Sequence, residues 1–245
     1  MTITSPSKSR RHIRWTASAA VLASVLSVGA FGSPAFASPA TASALTHTSS
    51  AATSTPSPHA VEVALKGLGL PTGRVTGSYN ADAQRALCTW RTIEGRTPTR
   101  ALPTASEARA ILGTTALPRA AAPMINGVNV SITCQAAFWV EGGHYVRVMD
   151  GTTGKPGHAT RLGTSTIFRS YTTWRGSTIY KGAMMYKPMQ FNGGEALHGS
   201  ATDHLVKTYP ASHGCVRMLH RDIDALHAGG VGIGTKVRVF GQYVW

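Results

Sequence analysis

Charged side chains are scarce in this sequence, and acidic ones scarcer still. Asp, Glu, Lys and Arg make up 14% of its 245 residues, with 10 acids against 24 bases. The formal charge of +14 implies an anionic partner or surface. Neither Cys-x-x-Cys nor His-Glu-x-x-His occurs, so the commonest zinc-binding spacings are missing. No nucleic-acid-binding pattern is present either, and no nucleic-acid partner is expected. Beyond the N-terminal stretch no segment is long and apolar enough to span a bilayer. Apolar residues, by contrast, reach 42%, which excludes a wholly disordered or collagen-like chain and predicts a buried core.

Lys8, Arg10, Arg11 and Arg14 precede an uncharged, moderately apolar stretch from Trp15 to Phe31, which leads to the small-residue run Ala35-Phe36-Ala37. This is the layout of a cleavable export signal at 1–37, with no stable membrane anchor left after cleavage. The general secretory route and the twin-arginine route both remain open. Removing those residues takes away four cations and no acid, so the remainder keeps a charge of +10 and the basic bias belongs to the folded protein. Residues 38–59 collapse to Ser, Thr, Ala and Pro, a composition that reads as a flexible linker or as a propeptide.

Residues 60–113 read as three short helices. Val61, Leu65 and Leu68 share a face ahead of Gly69, a candidate left-handed cap. Asn80 is placed to cap a second helix bearing Ala83, Leu87 and Trp90, and Thr104 with Glu107 has capping-box spacing for a third that stops at Gly113. After a connector at 114–126 the period changes. Val128, Val130 and Ile132 alternate, and Ala136–Val140 and His144–Val148 flank the turn Glu141-Gly142-Gly143 as a hairpin. Further strands are expected at Ser165–Phe168, Ala196–His198 and Lys236–Phe240, with one helix near Leu219–His227. The fold class is α+β: a small three-helix unit, then a mainly β, sandwich-like domain at 127–245.

The chemistry concentrates in Ser212-His213-Gly214-Cys215-Val216-Arg217-Met218 and in Leu197-His198-Gly199 upstream. A thiol attacks as thiolate, so an imidazole able to take its proton is the expected companion of Cys215. His213 is two residues away, and His198 ends a predicted strand that could fold back beside Cys215. Gly214 permits an unusual backbone angle, and the amides of Gly214 and Cys215 could then face one oxyanion.

These residues resemble the L,D-transpeptidase catalytic domain, the YkuD family. Its signature stands here as His198-Gly199 and Ser212-His213-Gly214-Cys215-Val216-Arg217. The wider pattern recurs in Thr153–Gly157, Gly163-Thr164, Met185-Tyr186, Phe191–Gly194 and Gly234–Val237. The resemblance implies that Cys215 attacks the third, diamino-acid residue of a donor peptidoglycan stem and expels terminal D-alanine. An acceptor amine or water then resolves the thioester. It further implies His198 as base with the Gly199 carbonyl fixing its tautomer, His213 in support, and no cofactor. Arg217, Tyr186, Met185 and Ser212 would line the substrate site. Arg161 departs from the family, which often has Pro there. Residues 60–113 resemble the peptidoglycan-binding domain type 1 family through Leu68-Gly69-Leu70, Gly77-Ser78-Tyr79 and Arg85-Ala86-Leu87. Peptidoglycan, and with it anionic wall polymers, is the implied partner, and the cell wall or exterior the implied location.

Three cysteines in an exported chain leave one unpaired if the other two bridge. On this reading Cys215 is the odd one and Cys88 and Cys134 are a candidate disulfide, the alternative being two buried thiols. Two other functional readings stay open. His198, Asp203, His204, His213, Cys215, His220 and His227 crowd together enough for a zinc peptidase, and the same fold without catalysis would serve as a peptidoglycan-binding protein.

Overall fold

The computed structural model of the protein describes residues 54–243. The export signal expected at 1–37 lies outside them, as does the expected linker up to residue 53.

Helix α1 (Pro58–Gly67) starts inside the stretch read as linker, because Ser57 accepts the Ala60 N–H and Pro58 suits a first helical turn. Gly69, at φ +75°, follows its C-terminus. Asn80 caps α2 (Ala81–Ile93) through the Ala83 N–H at 2.9 Å, and Thr104 and Glu107 close a capping box on α3 (Ala105–Gly113).

The strands follow in order: β1 (Gly127–Ser131), β2 (Ala136–Glu141), β3 (His144–Asp150), β4 (Gly163–Thr166), β5 (Arg169–Ser170), β6 (Arg175–Gly176), β7 (Met184–Asn192), β8 (Glu195–Gly199) and β9 (Val216–Met218). Helix α4 (His220–Ala228) and strand β10 (Lys236–Phe240) complete the chain. One sheet has the order β3-β2-β1-β10-β4, with only β1 and β10 parallel. The other runs β5-β7-β8-β9, with β6 added to β7 and with β8 and β9 parallel.

Strand β2 explains the layering. The first five of its six residues, Ala136–Val140, are all buried, because Ala137 and Trp139 face the second sheet while Ala136, Phe138 and Val140 face the helices. On the inner side, Val128, Val130, Val237 and Val239 meet Met189, Leu197, Val216 and Met218, with Ile223 and Leu226 of α4 closing the core. On the outer side Val61, Leu65, Leu87, Trp90 and Ile111 pack on Phe138 and Val140. The helices therefore share their core with the sheet, and Cys88 of α2 is disulfide-bonded to Cys134, just ahead of β2.

The strand expected at Ser165–Phe168 sits two residues earlier, as β4. Strands β7 and β9 were not anticipated. Pro188 interrupts the alternation of β7 where the strand bulges, and β9 is only three residues long. Among the described residues no helix is long and apolar enough to cross a membrane.

Candidate active site

The loop before β9 is shaped by local hydrogen bonds. Gly214 adopts φ +112°, which a side chain would resist. Its N–H donates to the Ser212 hydroxyl at 3.2 Å, and that hydroxyl donates to the Cys215 carbonyl at 2.5 Å. Thr160 Oγ1 donates to the Gly214 carbonyl at 2.7 Å. Two expectations change accordingly. Ser212 lines the cavity at Cys215 with its hydroxyl already engaged in the turn, and the Gly214 amide is committed to Ser212 rather than free to face an oxyanion. The Cys215 amide is the remaining one of the expected pair.

His198 reaches the same place through sheet geometry. Parallel pairing of β8 with β9 sets His198 opposite Arg217, two residues past Cys215. Across its other edge, Tyr186 pairs with Gly199 and Met189 with Leu197, so Lys187 and Pro188 of β7 oppose the single residue His198. This is a β-bulge, with Lys187 at φ +44°. His198 Nδ1 lies 2.8 Å from the Gly199 carbonyl. A carbonyl only accepts, so Nδ1 carries the proton and Nε2 keeps its lone pair. Burial lowers the His198 pKa to about 4, the Gly199 bond opposing and the Arg217 charge adding to the fall. Gly199 cannot carry a side chain, because a Cβ there would stand 2.4 Å from the His220 ring.

Cys215 is a free, partly buried thiol. Burial raises its pKa, the Ala196 N–H lowers it, the Glu195 carboxylate raises it and Arg217 lowers it. With the thiol pushed up and the imidazole pushed down, burial favours the neutral form of each.

Two cavities of about 280 Å³ meet at Cys215, His213, Tyr180 and Met185. One continues past His198, Ser212, Arg217 and Leu205 and is mainly apolar. The other runs past His158, Arg161 and Glu195. His213 is exposed and lies edge-on to His158, at 4.9 Å between ring centroids, with Tyr180 at 4.6 Å. Its pKa is lowered by desolvation first, then by Lys155, His158 and Arg217. Arg161 donates from its backbone N–H and Nε to Glu195 Oε1 at 3.0 and 3.1 Å. Sequence reasoning passed over Tyr180, His158 and Glu195. No local pattern marks them: the fold of the 158–180 segment brings His158 and Tyr180 to the thiol, and Glu195 arrives at the start of β8.

The fold thus gathers His198, His213, Cys215, Arg217 and Met185. It does not gather Tyr186. Expected to line the substrate site, that ring instead packs on His220 and Trp174, and its hydroxyl donates to Asp224 of α4 at 2.9 Å. It lies on the opposite side of β7 from Met185, as strand alternation requires. His220 and His227 face the carbonyls of Ser200 and Lys187, at 2.6 and 3.2 Å. Among the described residues no three His, Cys, Asp or Glu side chains converge as a metal-ligand group, so the zinc reading lacks a ligand set there.

The YkuD family description, L,D-transpeptidase catalytic domain, matches residues 126–239. A crystal structure of the L,D-transpeptidase (residues 123–326) from Xylanimonas cellulosilytica is similar, at 26% identity and a TM-score of 0.54, over 76% of this chain and 93% of that one. The likeness therefore extends beyond the catalytic-domain match. An L,D-transpeptidase structure from Stackebrandtia nassauensis shares 25% identity over 76% of this chain and 91% of its own, with a TM-score of 0.48. No curated protein matches the chain.

Proposed function

We infer, from the L,D-transpeptidase catalytic domain that residues 126–239 carry, that this chain is an L,D-transpeptidase acting on peptidoglycan stem peptides. The observation that carries the reading is the convergence on one apolar cavity of a free thiol, a buried imidazole with a single tautomer, and the Arg217 guanidinium. Cys215 is the nucleophile and His198 Nε2 the group that takes its proton as sulfur bonds to the donor carbonyl. The same proton is then available to the departing D-alanine amine. Collapse of the tetrahedral adduct leaves an acyl-thioester on Cys215, and the Cys215 amide is the donor we assign to the oxyanion. An acceptor amine attacking the thioester yields a 3→3 cross-link, and water yields a shortened stem. Arg217, whose Nη1 donates to the Ala211 carbonyl at 3.3 Å, has further donors for a stem carboxylate.

The cavity past His213 and Glu195 gives an acceptor a second approach to the same sulfur. Export is part of the proposal, supported by the basic and then apolar layout of residues 1–37 and by the disulfide, which belongs in an oxidising compartment. We assign wall affinity to the α1–α3 segment on the motif around Leu68-Gly69-Leu70, and the basic surface to anionic wall polymers.

The test is to expose the protein, lacking residues 1–37, to a tetrapeptide-stem muropeptide, assaying D-alanine release and the intact mass. A tripeptide-stem acyl adduct on Cys215 is expected. D-alanine release that survives Cys215→Ala would overturn the nucleophile, and release lost to chelation but not to thiol alkylation would favour a metallopeptidase. Wall binding with no turnover would leave a binding protein.

A further inference from the structure

The catalytic-domain match begins at residue 126, yet the backbone that presents Cys215 is also gripped from α2, well before it. Arg85 is buried on α2, with its guanidinium ion-paired to Asp150 at the end of β3 and to Asp82 at 2.5 Å. Its Nη1 also reaches the Lys207 carbonyl at 3.5 Å. That carbonyl accepts from Thr152 Oγ1 at 2.7 Å, and the Lys207 N–H donates back to the same hydroxyl. Thr152 in turn exchanges two backbone hydrogen bonds with Arg217, both at 2.9 Å.

One helical turn on, Cys88 leads to the same segment by a second path. Its disulfide partner Cys134 precedes Gln135, a buried residue at φ +56°. The Gln135 carboxamide donates to Thr153 Oγ1 at 2.7 Å and accepts the Thr153 N–H at 2.8 Å. The Thr153 carbonyl then accepts the amides of Ala211 and Ser212, the two residues that open the cysteine turn.

We propose that Arg85 is a positioning residue of the active site, holding through Asp150 and the Lys207 carbonyl the 207–217 backbone on which Cys215 and Arg217 sit. The proposal rests on the transpeptidase reading for its kinetic consequence, although the contact itself does not. On this account α2 is a backing plate for the reaction as well as part of a wall-binding segment. Two paths from one face of one helix converge on Thr152 and Thr153, and those two residues hold both ends of the turn. A helix serving only as a tethered binding unit would not need a buried cation directed at the catalytic loop.

The experiment uses the chain from residue 38 onward. Arg85→Lys keeps a charge for Asp150 but gives up the second arm to Lys207. It is expected to fold, with kcat for D-alanine release down about tenfold or more and KM within about twofold of the parent. Hydrogen exchange should quicken at the amides of Lys207, Ala211, Ser212 and Arg217 and stay unchanged in β1, β2 and β10. Arg85→Met combined with Asp150→Asn removes both charges together, so no unpaired carboxylate is buried, and the same pattern is expected. A kcat in Arg85→Lys equal to the parent's, a change confined to KM, or unchanged exchange at those four amides in the folded double variant would overturn the proposal. If the parent protein releases no D-alanine, the reaction assignment fails, and the exchange comparison still decides whether Arg85 holds the loop.

Discussion

The two sheets divide the work of the molecule. The first, β3-β2-β1-β10-β4, is regular over most of its length, with one register shift between Trp139 and Val140, and buries apolar residues on both faces of β2. The second pairs the nine-residue β7 with shorter strands, has two register shifts within the β7–β8 pair, and carries His198 on β8 and Cys215 immediately before β9. Those shifts lie opposite His198 and between Ala196 and Glu195, on the strand whose parallel partner β9 follows Cys215 directly. A regular ladder gives each side chain a fixed alternation, whereas a bulge re-aims one residue without disturbing the rest. Stability and reactivity are thereby separated: one sheet supplies a rigid support and the other is free to be irregular where chemistry needs it.

The comparison breaks most sharply at the sulfur. Cys215→Ala is expected to abolish thioester formation, seen as the absence of any adduct mass, while the melting temperature stays close to the parent's. His198→Ala should lower kcat/KM by about 10²- to 10⁴-fold, the usual share of a general base. In the first sheet, Phe138→Ala should cost about 3–5 kcal/mol in chemical denaturation through the cavity it leaves between sheet and helices. The kcat of its folded fraction should be unchanged, and a kcat loss matching that of His198→Ala would erase the distinction between the sheets.

Acidity tests the boundary between them, because His198 is buried in the reactive sheet. Its pKa of about 4 lies below the ordinary 6.5, so between those values the unfolded chain binds a proton that the folded chain refuses. Stability should be full above about pH 6.5 and fall by about 3 kcal/mol by pH 4. His198→Gln should flatten that slope in denaturation curves taken across the range. The smallest effect is expected from His213→Ala, a loss of less than about tenfold in kcat/KM, since its exposed ring lies edge-on to His158 and tilted against Tyr180 without a fixed hydrogen-bond role. Equal losses from the two histidines would leave the base unassigned.

Much of this was legible in the chain. Helix caps at Asn80 and Thr104, the hairpin around Gly142 and the β10 span need only near neighbours, and near neighbours are what a sequence displays. The pairing of Cys88 with Cys134 was readable as a candidate from an odd count of cysteines. The site was legible as residue types, His198, His213, Cys215 and Arg217, but not as an arrangement. Tyr186 shows the limit: it adjoins Met185, which lines both cavities, yet one step along a strand turned it to Asp224 and the other side of the sheet. Pro188 concealed the longest strand of the reactive sheet, because a proline is compatible with β7 only at a bulge, which shows once β7 is paired with β8.

Sequence alone determined the local geometry and the chemical inventory: caps, turns, a positive-φ glycine beside a cysteine, and an excess of positive charge. Tertiary structure decided which histidine is buried with one lone pair available, that Thr160 holds the Gly214 carbonyl, and that α2 reaches the catalytic loop. The physical reason is range. Caps and turns are settled by hydrogen bonds over a few residues, whereas burial, bulges and buried ion pairs exist only once strands distant in the chain have closed against one another.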